Sequence, residues 1–105
     1  MAGQCELCGR QVSELTLHHL IPRTRHRNKR VRRDHDRAEV KAATTWLCRG
    51  CHNFIHAKFT EKTLERQFQT VEALAAHSDV ARFIAWIRAK PADFHPYTET
   101  SREKR

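Results

Sequence analysis

Two pairs of cysteines constrain this chain more than any other sequence feature. Cys5 and Cys8 are separated by two residues, Cys48 and Cys51 repeat that spacing, and the chain has no other cysteine. Two cysteines at this spacing can bind one Zn²⁺ from a tight turn, and a closed tetrahedral site takes four thiolates. We therefore predict a structural zinc site that joins the N-terminal segment to the middle of the chain.

Length and charge limit both the fold and the partner. A chain of 105 residues forms at most one domain with a small apolar core, so a structural metal would supply stability that the core lacks. The net charge of +8 and the pI of about 9.9 favour a polyanion such as DNA or RNA. No apolar run approaches a membrane span of about 20 residues, and the N-terminus has no signal pattern. We therefore expect a cytoplasmic protein with reduced cysteines and no membrane partner.

Four histidines indicate a second metal site. His52 and His56 are four residues apart, so on a helix both imidazoles project from one face, as two ligands of one metal must. The adjacent pair His18 and His19 offers the missing ligands. A helical histidine pair alone is weak evidence, because most such pairs are ordinary surface or core residues. The doublet and the cysteine pairs beside it strengthen this interpretation.

The histidine doublet lies at the end of a segment that has the pattern of a strand. Leu15 and Leu17 alternate with polar residues, as in a half-buried strand, and Pro22 ends the segment. Neighbouring side chains of a strand point to opposite sides, so one histidine of the doublet can bind a metal while the other faces a water or phosphate. Residues 44–47, which are β-branched and aromatic, predict the second strand of a hairpin.

Residues 23–37 are strongly basic and almost without apolar side chains, which predicts a long basic loop or a short exposed helix. Most such charge runs are solvated surface. Because this one directly follows the histidine doublet, it lies beside the candidate site, and we expect it to contact nucleic-acid phosphates. The predicted contact residues are Arg23, Arg25, Arg27, Lys29, Arg30, Arg32 and Arg33.

The remainder of the chain predicts helices. Thr60 can cap a first helix, residues 71–77 form a second, and Ser78 or Asp79 can cap a third. Pro91 stops the third helix, and residues 92–105 are expected to be a flexible tail. Apolar side chains at helical spacing should pack on the metal-bound core; they are Leu64 and Phe68 in the first helix and Val80, Phe83, Ile84 and Ile87 in the third.

These motifs, in this order, resemble the HNH nuclease superfamily, in its subgroup with a four-cysteine zinc site. The likeness is carried by Leu17-His18-His19-Leu20-Ile21-Pro22 and by Leu47-Cys48-Arg49-Gly50-Cys51-His52-Asn53-Phe54-Ile55-His56. It implies an α+β fold and a single domain over residues 1–91. Within that domain, residues 5–58 would form a treble-clef-like ββα-metal core held together by the zinc knuckles, and residues 60–90 a helical extension.

The resemblance also implies residue roles, similar to those in the nuclease colicins. His18, His52 and His56 would bind a catalytic divalent ion, which could be Mg²⁺, Mn²⁺, Ni²⁺ or Zn²⁺, and His19 would be the general base. The implied activity is hydrolysis of phosphodiester bonds, foremost in double-stranded DNA, leaving a 5′-phosphate and a 3′-hydroxyl. The alternative is a non-catalytic zinc-containing module that binds nucleic acid on the same scaffold. A redox or metal-storage role is a distant third, and the sequence indicates no protein partner.

The chain departs from the family pattern at one position. The family has an Asn about five residues before the third cysteine, and this chain has Ala42-Ala43-Thr44-Thr45 there. Since that Asn helps to fix the loop that carries the base, three alternatives are open. Thr44 or Thr45 substitutes for it, Asn28 reaches in from the basic segment, or the site is weakened. Asn53, inside the predicted helix, is not its equivalent.

Overall fold

Two antiparallel strand pairs and six α-helices make up the residues that this computed structural model describes, which are 2–92 and 94. The fold is therefore α+β, as the sequence predicts. The strands are β1 (Gly3–Gln4), β2 (Gln11–Val12), β3 (Leu15–His19) and β4 (Thr44–Cys48). The helices are α1 (Lys29–Asp34), α2 (Arg37–Ala42), α3 (Arg49–Lys58), α4 (Glu61–Gln67), α5 (Val71–Ala76) and α6 (Ser78–Ile87), and a 3₁₀ turn spans Arg23–Arg25.

The first cysteine pair lies in the turn between β1 and β2, which pair antiparallel with Gln4 opposite Gln11. The turn is closed by the Gly9 N–H, which donates to the Cys5 carbonyl oxygen at 2.9 Å. Gly9 has a φ of 85°, a conformation in which any side chain would be strained. A glycine at this position therefore lets the backbone turn around the cysteine pair.

The centre of the fold is the β3–β4 pair with α3 packed against it. The strands are antiparallel, with His18 opposite Thr45 and His19 opposite Thr44. Helix α3 starts immediately after β4, and its Ile55 is fully buried beside Leu47 of β4 in the main core cluster. The predicted hairpin strand and the predicted helix through both histidines are confirmed.

The buried side of β3 differs from the expectation based on its leucines. Leu15 is buried, but Leu17 is 39% exposed, whereas His18 between Leu17 and His19 is 0% exposed. The face of β3 that carries Thr16 and His18 packs against α3, whose His52 and His56 contact these two residues. The leucine alternation predicts the strand correctly and its buried side incorrectly.

The basic segment is more ordered than a loop. The 3₁₀ turn and α1 lie within it and α2 begins at its last residue, and α1 and α2 share a small core in which Val31 is 1% and Val40 4% exposed beside Ile21. The short exposed helix is confirmed in α1, except that this helix buries Val31, and the long loop is wrong. Two isolated valines anchor two short helices.

The C-terminal helices follow the predicted pattern except at one cap. The Thr60 side chain accepts from the Thr63 N–H, and the apolar stripe of α6 packs in the main core. The cap of α6 is neither Ser78 nor Asp79; the Nδ1 of His77 accepts from the Asp79 N–H at 3.1 Å. Helix α6 ends at Ile87, before Pro91. The expected tail, residues 92–105, lies outside the described residues except for positions 92 and 94.

No helix in residues 2–92 combines the length and apolar character that crossing a bilayer requires.

Candidate metal centres

The four cysteines converge on one point in the core. Their sulfur atoms all lie within 4.8 Å of one another, and every one of the four residues is at most 2% exposed. The Cys8 and Cys48 sulfurs are 3.9 Å apart, and thiolates bound 2.3 Å from a tetrahedral zinc are about 3.8 Å apart. The donor set and spacing therefore fit a metal such as zinc.

The surroundings of the cluster favour negative charge on sulfur. The Cys8 and Cys51 backbone N–H groups donate to the Cys5 and Cys48 sulfurs, each at 3.4 Å, and the buried Arg10 guanidinium donates to the Cys48 sulfur at 3.3 Å. Hydrogen bonds from the Cys5, Cys51 and Cys8 thiols hold the pKa of Cys48 well below its ordinary range, whereas hydrogen bonding to Cys48 raises the pKa of Cys5 and Cys51. A thiolate is the form that binds a metal, so Cys48 is prepared for a cation, and Cys5 and Cys51 would lose their protons when one binds.

Three of the four predicted histidines also come together. The candidate ligand atoms of His18, His52 and His56 lie within 4.8 Å of one another, and the three ring centroids are 4.8–5.3 Å apart. His18 is fully buried, His52 half-buried and His56 exposed. The cluster therefore has a closed side and a side open to solvent, as a site that must admit a further ligand requires.

His18 itself indicates a missing partner. Both of its ring nitrogens are buried and neither has a hydrogen-bond partner. An unsatisfied buried polar atom costs about 1–3 kcal/mol, so two on one ring are unfavourable. An ion bound by His18, His52 and His56 would satisfy the His18 nitrogen that faces the other two rings. The unsatisfied nitrogens of His18 are therefore the structural observation in favour of a metal here.

Thr16 sets the orientation of His52, a role that the sequence did not reveal. The Thr16 hydroxyl donates to the Leu47 carbonyl oxygen at 2.9 Å, and its oxygen lies 2.7 Å from Nδ1 of His52. A hydroxyl has one proton, and a carbonyl can only accept, so Nδ1 of His52 must be the donor to Thr16. The neutral His52 therefore carries its proton on Nδ1 and presents the Nε2 lone pair to a metal.

The clustered histidines remain neutral at physiological pH. Burial, with smaller contributions from His56 and His52, lowers the pKa of His18 to about 3. Burial, followed by His56 and Arg49, lowers the pKa of His52 to about 4. A neutral imidazole is the form that binds a metal, so protons do not compete for these two nitrogens near pH 7.

His19 is separated from this cluster, as the strand alternation predicts. It is half-buried, and its ring centroid lies 6.2 Å from that of His26 on the other side of β3 from His18. Burial, Arg23 and His26 together lower its pKa below the ordinary value near 6.5, so the free imidazole predominates at neutral pH. The doublet is divided into one clustered histidine and one that can accept a proton.

A comparison with known proteins relates the whole chain to one bacterial protein. This chain is 33% identical over 105 residues to the uncharacterized protein YisB of Bacillus subtilis (strain 168), and the match covers 100% of this chain and 93% of YisB. The chain belongs to the YisB family. No protein-family model and no solved structure matches it. The YisB relationship includes all the positions of both clusters, because it extends over the full chain.

The predicted phosphate-binding residues of this YisB-family chain have different surroundings. Arg25 is engaged with the buried Glu65, with both Nε and Nη2 3.3 Å from its Oε1, and Arg33 pairs with Asp34. Five of the predicted residues are exposed and have no carboxylate partner among residues 2–92; they are Arg23, Arg27, Lys29, Arg30 and Arg32. Arg25 is therefore a structural residue of the basic segment rather than a free cation.

The three alternatives for the absent family Asn can now be compared. Asn28 caps α1, where its Oδ1 accepts from the Arg30 and Val31 N–H groups at 2.9 and 3.3 Å. Thr45 donates its hydroxyl to Glu6. Thr44 lies directly opposite His19 and has no side-chain hydrogen bond to another described residue. Of the three side chains, Thr44 is the one beside the candidate base that is not already engaged.

Proposed function

We propose that this protein is a metal-dependent endonuclease of the HNH type that hydrolyses phosphodiester bonds in DNA, with double-stranded DNA as the foremost substrate. One observation carries the proposal: three histidines converge into a partly open cluster, and His19, next to His18 in β3 but on the opposite side of the strand, is unprotonated at neutral pH. A purely structural site has no need of that fourth group.

The architecture supports the same assignment. An antiparallel strand pair followed at once by a helix, with cysteine pairs at both ends, is the arrangement expected of a ββα-metal core. The four-cysteine cluster would bind a structural zinc and hold the knuckle of β1 and β2 to the start of α3. Four free thiols are also consistent with the reducing cytoplasm.

In this proposal His18, His52 and His56 hold the catalytic ion. Positive charge at the scissile phosphate and at the departing oxygen is the chemistry that a divalent ion bound there supplies. His18 anchors the set from the core, and Thr16 keeps the Nε2 of His52 directed into it. Of the four candidate ions, Ni²⁺ and Zn²⁺ suit imidazole ligands, whereas Mg²⁺ and Mn²⁺ prefer oxygen ligands, which water and a bound phosphate would supply.

His19 is the proposed general base. It would accept a proton from the attacking water, and its lowered pKa keeps it in the proton-accepting form at pH 7. Arg23, whose charge acts on His19, and the neighbouring cations of the basic segment would hold flanking phosphates. Thr44, opposite His19, is the proposed substitute for the family Asn in fixing this side of the site.

The second candidate function is a non-catalytic module that binds nucleic acid on the same scaffold. The specific observation in its favour is the absent Asn, since Thr44 is shorter and offers a single hydroxyl. The two functions differ in one respect that can be measured. A binding module needs neither a filled histidine cluster nor His19.

Plasmid nicking with added Mg²⁺, Mn²⁺, Ni²⁺ or Zn²⁺, beside metal analysis of the same sample, tests the proposal. We expect the wild type to nick DNA with at least one ion. His19→Ala should abolish nicking while metal content and DNA affinity stay close to wild type, because loss of a proton acceptor affects the transition state rather than the bound complex. His18→Ala should lose both the second metal and nicking.

Two results would contradict the proposal. If His19→Ala, purified in the same way, still cuts DNA as the wild type does, then His19 is not the base. If the wild type retains zinc and binds DNA but fails to cut it with any of the four divalent ions, then the binding-module function replaces the nuclease.

A further inference from the structure

The basic segment contains a cleft of about 820 Å³ between the 3₁₀ turn, α1 and α2. Its volume is within the range of pockets that bind a small molecule or one nucleotide unit, roughly 300–1,000 Å³. None of the side chains that line it is acidic. We call it the cation cleft, and the positive side chains that line it are Arg23, Arg27, Arg32, Arg37 and Lys41.

The cations of the cleft have no ion-pair partner in the part of the chain that the structure describes, in contrast to several other cations. Arg25 pairs with Glu65, and Lys58 and Arg82 both pair with Asp79. Within residues 2–92 no carboxylate forms an ion pair with any of the five cleft cations. Five like charges around one recess repel each other, and a bound polyanion would relieve that repulsion.

Nearby acidic residues do not pair with the cleft cations: Glu61 accepts from the lining Thr24 hydroxyl, and the others are engaged in local structure. Asp36 caps α2, where its side chain accepts from the Ala38 N–H, and Glu39 completes the capping box and lies 3.6 Å from His35. Asp34 is bound by Arg33. The carboxylates closest in sequence are therefore committed to helix caps and local pairs, so the cleft keeps its positive charge.

The cleft is also rigidly framed. Val31 of α1 and Val40 of α2 are buried together with Ile21, and the Asn28 and Asp36 side chains cap the two helices. Cations on a fixed frame lose less conformational freedom on binding than cations on a loop. Burial of the two valines therefore gives the cations of the cleft a fixed frame.

The cleft opens beside the candidate base. His26 lines the cleft, and its ring centroid lies 6.2 Å from that of His19. The Nε2 of His26 bonds to the Ile21 carbonyl oxygen at 2.6 Å, which fixes the ring at this position. A strand that placed one phosphate near His19 would therefore lead neighbouring phosphates into the cleft.

We propose that the cation cleft binds the sugar-phosphate backbone of a nucleic-acid strand, next to the phosphate at His19. No Phe, Tyr or Trp lines the cleft to stack on a base, and its five cations would contact phosphates, which carry no sequence information. The proposal deepens the nuclease function and rests on it only for the role of His19. Binding of the strand requires no cleavage.

Two triple variants with equal loss of charge test the cleft. Arg32→Gln, Arg37→Gln and Lys41→Gln together remove three cations from the cleft. Lys29→Gln, Arg30→Gln and Arg33→Gln together remove three from the same segment but outside the cleft. All six positions are exposed, so both proteins should fold, and zinc content and circular dichroism check that they do.

The measurement is the slope of log affinity against log salt for a fluorescent oligonucleotide without divalent ions. Each phosphate contact contributes about 0.7 to the slope for a single strand and about 0.9 for a duplex. We expect the cleft variant to lower the slope by up to about two units with a single strand and up to nearly three with a duplex. The outer variant should change it by less than half as much. Each loss of slope is divided by about 0.9 for the duplex or about 0.7 for the single strand, and the form that loses more contacts is the one that occupies the cleft.

Equal slopes for the two triple variants would overturn the proposal. It would equally fail if the cleft variant changed only the binding of inorganic phosphate and left both oligonucleotide slopes at the wild-type value. Failure of the nuclease function is a separate result, since it is read from nicking by the wild type and not from the salt dependence of binding.

Discussion

The Thr16→Val variant tests how the histidine cluster is preorganised. Valine has the shape of threonine but no hydroxyl. The variant therefore loses two hydrogen bonds: the one that Thr16 donates to the Leu47 carbonyl oxygen at 2.9 Å, and the one that it accepts from Nδ1 of His52 at 2.7 Å. These two bonds connect His52 to β4 in the wild type. His52 then loses the partner that selects its tautomer and holds its ring. Loss of such an outer partner typically lowers metal affinity 10- to 100-fold, which corresponds to about 1.4–2.8 kcal/mol.

The assay is calorimetric titration of the second metal into zinc-loaded protein. Thr16→Ser is the matched control, because it keeps the hydroxyl and should bind within a few-fold of the wild type. Nitrogen-15 spectra of the metal-free proteins give a second readout, since the wild type should show His52 protonated on Nδ1 and the valine variant a mixture of tautomers. Zinc content must be the same in all three proteins.

Equal metal affinity of the valine and serine variants would refute this reasoning. The same would follow from a wild-type spectrum with the His52 proton on Nε2, because that tautomer turns a protonated nitrogen toward His18 and His56. Either result would mean that packing alone positions the ring.

Three further predictions concern stability. Cys48→Ser should lose the structural zinc and the ordered fold, because Cys48 is a candidate ligand, whereas serine still caps α3; unchanged zinc content by mass spectrometry would contradict this. Glu65→Ala should lower the free energy of unfolding, measured with urea, by about 2 kcal/mol. This is less than the roughly 3–5 kcal/mol lost when a fully buried ion pair is broken, because Arg25 is 23% exposed. Glu65→Gln should lower it by less than Glu65→Ala does. The pKa of His18 is lower in the folded than in the unfolded state, so the unfolded state binds more protons. Without the second metal, the free energy of unfolding should therefore decrease as the pH is lowered from 6.5 to 5.5. The decrease should be about 1 kcal/mol larger than in His18→Asn. A pH dependence equal to that of the asparagine variant would exclude burial of a neutral His18.

The spacing of ligands was sufficient to predict both clusters. Cysteines separated by two residues and histidines separated by four are local patterns, and the strand alternation correctly separated His18 from His19. Local patterns do not report on partners that are distant in sequence. Thr16 meets His52 only through the register of β3 and β4 and the packing of α3, and Arg25 meets Glu65 across 40 residues.

The basic segment shows a different limit. Helices α1 and α2 have six residues each, which is too short for an apolar stripe, and each contributes one buried valine. Single apolar residues among arginines have no period, so the sequence predicted only a long basic loop or a short exposed helix. Their burial could be found only with Ile21 as the third member of the cluster.

Helix α3 carries ligands of both clusters, with Cys51 in its first turn and His52 and His56 in the turns that follow. If both clusters bind ions as proposed, binding at one would therefore raise the affinity of the other. Filling of the sulfur site would fix the start of the helix and bring the histidines into register, and by the same coupling an ion at the histidines would help to order the knuckle. A cell starved of zinc would then also load the histidine centre less well, even with an abundant supply of the metal that occupies it.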